Sequence, residues 1–171
     1  NMDYLAQNGF TGLVQTIPDK MKPGSDIGNI AILGYDPAQF HTGRAPLEAA
    51  NQNIILAQDE VAFRCNLVTI VDEQMADYSA GHISTKEAAV LVETLGRQFG
   101  SREIKFIAGK SYRHLLVLKV DDPEKYMQIK TTPPHDISGK KIKSSLPQGE
   151  GAQLLLDLME KSKGVFQNHS I

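Results

Sequence analysis

Tryptophan is absent from the 171 residues, and cysteine occurs once, at Cys65. A single thiol excludes an intramolecular disulfide framework and fits a reducing, cytoplasmic setting, with Cys65 a small buried residue. No apolar run approaches the roughly 18 residues that would suggest a membrane span, so no membrane partner is expected. The start of the chain carries no signal-peptide pattern. Neither sign of charge dominates: Lys plus Arg is 18, Asp plus Glu is 20, and the formal net charge is −2. That balance supplies no basic field and argues against nucleic acid as a partner. Metal-ligand spacings are missing as well. The histidines at 41, 82, 114, 135 and 169 form no HExxH, and there is no CxxC. GxGxxG and GxxxxGK[ST] are also absent, which removes support for nucleotide binding of the Rossmann or P-loop type. No internal repeat is found.

What is present suits one ordinary domain or a slightly large one, with 41% hydrophobic residues to build a core. Helical spacing in "NMDYLAQNGF" runs to Asn8-Gly9, which tolerate a helix stop. Asn1 precedes Met2 in what reads as mid-helix, so the chain is expected to be a piece of a longer protein. "FTGLVQTIP" suits a short strand ended by Pro18. "DIGNIAILG" and "GRAPLEAANQN" read as helices, Pro46 fitting the first turn of the second. "DEVAFRCNLVTIV" alternates as a strand, and "QMADYSAGHIST" reads as a short strand and a turn. Ser84 and Glu87 have capping-box spacing at the head of "STKEAAVLVETLGRQFG", whose buried stripe is Ala88, Leu91, Val92 and Leu95. "EIKFIAG" and "YRHLLVLKV" are two further strands, "TTPPHDISGKK" is a loop, and "GEGAQLLLDLMEKSK" is a final helix. This order predicts α/β or α+β layers in two parts divided near residues 53 to 59.

Ser25 lies in "PGSDIGNIAILGYDP", between a glycine and an aspartate just ahead of an apolar run. On spacing alone it is a helix cap. The same place would suit a nucleophile: Gly24 allows close approach, and a helix N-terminus offers N–H donors to a phosphate. A hydroxyl there could attack phosphorus if a metal or base lowered its pKa. Asp26 could assist, or could simply favour the first turn by its charge.

The other polar points fall later: Arg64 in a strand, His82 in a turn of small residues, Arg113 and His114 entering a strand, His135 and Asp136 after two prolines. Singly, each reads as a surface or loop-bracing residue. Together, two arginine forks and three histidines suit a small anionic metabolite.

"PGSDIGNIAILGYDP", "TGRAPLEAA", "VAFRCNLVT", "DYSAGHIST", "SYRHLLVL" and "PPHDISG" occur in that order. Together they resemble the archaeal-type, cofactor-independent phosphoglycerate mutases of the alkaline phosphatase superfamily, over residues 1 to 163. The resemblance implies an α/β core binding two divalent metals (Mn, Zn or Mg), with a second domain inserted after the nucleophile helix. On this chain it implies a partial core over 1–55 and an inserted substrate-binding domain, α+β in character, over 56–171. It makes Ser25 the nucleophile that takes phosphate from 3-phosphoglycerate and returns it to give 2-phosphoglycerate, and a metal contact in the intact enzyme. It makes Arg64, His82, Arg113, His135 and Asp136 the substrate-side residues.

The chain departs from that family in lacking the leading strand with its aspartate ligand and the later core with its Asp and His ligands. This piece is therefore expected to be inactive alone, to bind no metal tightly, and to self-associate through exposed core edges. Two other readings stay open: a related phosphotransferase acting on small hydroxy amino acids such as homoserine, and a non-catalytic domain that binds phosphorylated metabolites.

Overall fold

A computed structural model describes residues 2–170. The chain divides into two compact units, Asn1–Arg44 and Ala45–Ile171.

The first unit holds α1 (Met2–Asn8), α2 (Ser25–Ile32) and α3 (Pro37–Phe40). Gly34, at φ 87, lies just past the end of α2, a backbone conformation that glycine adopts without steric cost. Asp36 caps α3 by accepting from the Ala38 N–H at 2.9 Å, and Pro37 takes the first helical position. The strand expected over "FTGLVQTIP" does not form. Residues 10–17 are non-helical and unpaired, and Phe10, Leu13 and Val14 are fully or largely exposed. Alternating residues make a strand only when a neighbour takes up the backbone N–H and C=O groups, and no described residue does so here.

The second unit is built on a three-stranded antiparallel sheet in the order β1 (Glu60–Asn66), β5 (Arg113–Lys119), β4 (Ile104–Lys110). The central strand β5 is apolar from Leu115 to Leu118, as burial on both faces requires. One face packs Leu116, Leu118, Phe63 and Cys65 against Ala152, Leu155 and Leu158 of α7 (Ala152–Gln167). Burial there pushes the Cys65 thiol up to about 11, so it stays protonated and serves as packing. The other face packs Ala62, Leu115 and Val117 against Ala45 and Ala49 of α4 (Arg44–Asn51).

Helix α5 (Thr85–Phe99) lies along β4 and buries Ala88, Leu91, Val92 and Leu95, the stripe expected from spacing. Its capping box is complete: the Ser84 hydroxyl accepts from the Glu87 N–H at 3.2 Å, and the Glu87 carboxylate accepts from the Ser84 N–H at 3.2 Å. The long strand expected over 59–71 is interrupted. Leu67 turns inward, its N–H donating to the Tyr112 carbonyl at 2.9 Å, and β2 (Thr69–Val71) pairs instead with β3 (Gln74–Asp77). A short helix α6 (Pro123–Met127) and two 3-10 turns, Pro134–Ile137 and Lys143–Ser145, complete the unit.

Candidate functional site

The expected site residues fall in both units, Ser25 in the first and the others in the second. Ser25 is the first residue of α2, and the cap is Gly24, in extended backbone (φ −161), with no side-chain capping bond. The expectation that Ser25 caps the helix is therefore corrected: one residue inside the helix, its hydroxyl is not placed to take up the first N–H groups. It is exposed, and no hydrogen-bond partner for it is found among the described residues.

Beside it, Asp26 is engaged on both oxygens. Oδ2 accepts from His41 Nε2 at 2.7 Å, and Oδ1 accepts from Arg44 Nη2 at 3.2 Å. Partial burial (side chain 13% exposed) opposes the carboxylate charge, but the bonds from Arg44 and His41 outweigh it and hold the carboxyl down at about 2. A Cβ at Gly24 would come within 2.5 Å of Asp26 Oδ1 and crowd Arg44, so a larger residue there would have to displace the braced carboxylate. Asp26, His41 and Arg44 form a braced cluster that sequence spacing did not join. The only signal was the "TGRAPLEAA" block that carries Arg44.

In the second unit, strand pairing sets Asn66 opposite Arg113 and Arg64 opposite Leu115. Arg64, Asn66 and Arg113 therefore share one sheet face at the same end, the face that α4 covers farther along. Arg64 Nε lies 3.0 Å from Glu48 Oε1 of α4, close enough to pair charges but without the alignment of a hydrogen bond. Asn66 Oδ1 is buried with no partner. Two buried polar atoms without aligned partners on a face lined by arginines are what a bound polar molecule would satisfy.

Arg113 lies over the Tyr112 ring, 5.5 Å from its centre. Tyr112 meets Tyr78 edge-on at 5.8 Å, and Tyr78 meets His135 at 6.2 Å. His135 Nε2 in turn lies 3.2 Å from Asp136 Oδ1, both side chains about half exposed. Residues far apart in sequence are thus strung along one line of rings. His82 is exposed at φ 57 and closes a turn organised by Asp77, which accepts from the Ser79 hydroxyl and from the N–H groups of Ser79 and Gly81. Those three bonds, the hydroxyl's foremost, lower the Asp77 carboxyl below its usual range. The sequence reading missed Tyr78, Tyr112 and Asn66, whose roles come from strand pairing and ring contacts.

The two divalent ions that the resemblance implies would need a cluster of ligands. No group of three or more His, Cys, Asp or Glu that could hold an ion occurs among the described residues. Asp26, the carboxylate beside Ser25, has both oxygens taken, one of them by a cation that would repel a divalent ion. These residues do not by themselves make a two-metal cage.

The family model for 2,3-bisphosphoglycerate-independent phosphoglycerate mutase matches residues 6–171. The chain belongs to that family. The enzyme of that name from Methanosarcina barkeri is 51% identical over 170 residues, which is 99% of this chain and 42% of the relative. The probable mutase of Geobacter sulfurreducens is 44% identical, with 99% of this chain and 42% of the relative covered. The chain thus spans about two-fifths of the length of the curated relatives it matches. Among solved structures, the cofactor-independent phosphoglycerate mutase from Thermoplasma acidophilum superposes with a TM-score of 0.61 at 22% identity, covering 88% of this chain and 41% of that one. A protein from Pyrococcus horikoshii gives 0.63 at 22%, covering 99% and 37%. These two similarities carry the fold, a mixed arrangement of helices and antiparallel sheet.

Proposed function

We propose that this chain works as part of a phosphoglycerate mutase, interconverting 3-phosphoglycerate and 2-phosphoglycerate while the phosphate rests on Ser25. The observation that carries the proposal is the exposed, unengaged Ser25 hydroxyl at the mouth of α2, in a chain of the mutase family. Ser25 gives up its hydroxyl proton and its oxygen bonds to phosphorus as the bond to the C3 oxygen breaks, and the C3 oxygen takes up a proton. In the return step the C2 oxygen gives up its proton and bonds to phosphorus as the Ser25 O–P bond breaks, and the Ser25 oxygen takes its proton back. N–H groups at the start of α2 favour the anion. Phosphoryl transfer is mostly a matter of position and charge neutralisation. Arg64 and Arg113 supply the two-pronged donors that suit a carboxylate or phosphate, and His82, His135 and Asp136 complete the substrate side.

In this reading Ser25 would be a metal contact in the intact enzyme, the divalent ions (Mn, Zn or Mg) would take their other ligands from residues outside the chain, and the chain alone is inactive. The setting is cytoplasmic, as a glycolytic conversion and a lone unoxidised thiol suggest. No described helix is long and apolar enough to cross a membrane.

The test uses the complete polypeptide and 3-phosphoglycerate labelled on phosphorus. Label is expected on the Ser25 peptide after rapid quenching, and Ser25→Ala is expected to cut turnover by at least about a thousandfold. Unchanged turnover in that variant would overturn the proposal, as would strict dependence on a nucleotide or on homoserine.

A further inference from the structure

His114 is the most deeply buried polar ring of the second unit, 1% exposed, and the proposed chemistry does not use it. Its place in the sheet is specific. Between the pairs Ile107 with Leu115 and Lys110 with Arg113, β4 has two residues, Ala108 and Gly109, where β5 has only His114. This is a β-bulge, which leaves a backbone group outside the regular ladder. The Gly109 N–H donates to His114 Nδ1 at 3.0 Å, so the imidazole serves the bulge. The bulge also needs glycine, because a Cβ at 109 would run into the Arg113 carbonyl. Accepting at Nδ1 requires the neutral ring with its proton on Nε2. Burial agrees, holding His114 down at about 4.

The two residues beyond the bulge, Ser111 and Tyr112, are held in place. Ser111 N–H donates to Thr85 Oγ1 at 3.1 Å, and its hydroxyl donates to the Ile83 carbonyl at 2.8 Å. Tyr112 carries Arg113 on its ring and touches Tyr78, next in line to His135. The bulge therefore sets the twist of the hairpin on which the proposed anion-holding groups sit.

We infer that His114 is a positioning residue: by accepting the Gly109 N–H it locks the β4–β5 bulge and so aims Arg113 at the bound phosphorylated acid. The inference rests on the reading of Arg113 as a ligand of that acid. Its test uses two variants of similar size and polarity in the complete polypeptide. In His114→Asn the side-chain oxygen can stand near the Nδ1 position, whereas in His114→Gln it reaches the Nε2 position instead. His114→Gln is expected to raise KM for 3-phosphoglycerate about tenfold with little change in kcat, the loss of roughly one hydrogen bond's worth of alignment. His114→Asn should stay close to the unsubstituted enzyme. In an Arg113→Ala background the Gln substitution should add nothing further to KM.

Equal KM values for the Asn and Gln variants would overturn the inference, as would a KM effect that persists undiminished without Arg113. Amide exchange at Gly109 reads the latch directly: faster exchange in His114→Gln than in His114→Asn supports it, and equal rates refute it. If the unsubstituted polypeptide turns over no phosphoglycerate, the mutase reading fails, and the exchange measurement still decides the latch.

Discussion

A buried imidazole that accepts a hydrogen bond has to stay neutral, and at His114 that requirement makes stability depend on pH. An ordinary histidine takes up its proton near 6.5, and His114 does so near 4. Between those values the unfolded chain binds a proton that the folded one refuses. The contribution is therefore full above about pH 6.5 and lost as pH falls toward 4. Comparing two conditions, about pH 7.5 and 5, isolates roughly 2 kcal/mol of it. Asp26, Asp59, Glu60, Asp77 and Glu87, whose carboxyls are all lowered, act at still lower pH. Denaturant midpoints should fall between the two conditions, and by clearly less in His114→Asn. An equal fall in both proteins would contradict this origin. At Asp26 the sign is the same but the window lower: its contribution to stability is full above about 4 and is lost as pH drops toward 2, where the unfolded carboxyl is protonated before the folded one.

Among the elements, α5 is the one in which every local signal agrees with the tertiary structure. Serine at the cap, glutamate at the third helical position and four apolar residues at helical spacing all point the same way, and the helix forms where they say. Ser84→Ala removes the hydroxyl that accepts the Glu87 N–H and should cost about 1 kcal/mol, read as a lower thermal midpoint. Ser84→Asp should recover most of it, since a carboxylate can accept the same N–H. No recovery would mean that the box is not what stabilises this end. The segment 10–17 is the opposite case. Its alternation is real, but a strand is a property of a pair, and nothing described pairs with it. The strand expected over 59–71 fails differently: its pairing with β5 runs out near Leu67, which is buried with Ala88 and Leu91, and Thr69–Val71 pairs with Gln74–Asp77 instead.

On the scale of the whole molecule, the two units differ in how well they bury their own apolar residues. The second has three clusters on and around its sheet, while the first buries Ile27 and Pro37 but exposes Met2, Tyr4, Leu5, Phe10, Leu13, Val14, Ile32 and Leu33. Apolar surface of that extent is seldom left in water. The chain by itself should therefore associate, with an average mass that rises with concentration in sedimentation equilibrium. Replacing Leu13 and Val14 by serine should shift the distribution toward monomer. A single mass that matches one chain at every concentration would count against this. The chain covers about two-fifths of the length of the curated relatives it matches.

The sequence by itself determined the helices α2, α4, α5 and α7, the apolar strand β5, and the family, because periodicity, caps and ordered motif blocks are local features written in neighbouring residues. It also placed Ser25 at a helix mouth, though not whether it caps or stands free. Tertiary structure decided the rest. Only strand pairing could put Asn66 beside Arg113, only the bulge could give His114 its task, and only folding could close Asp26 onto His41 and Arg44. Those arrangements depend on contacts between residues distant along the chain, whose partners no local pattern names.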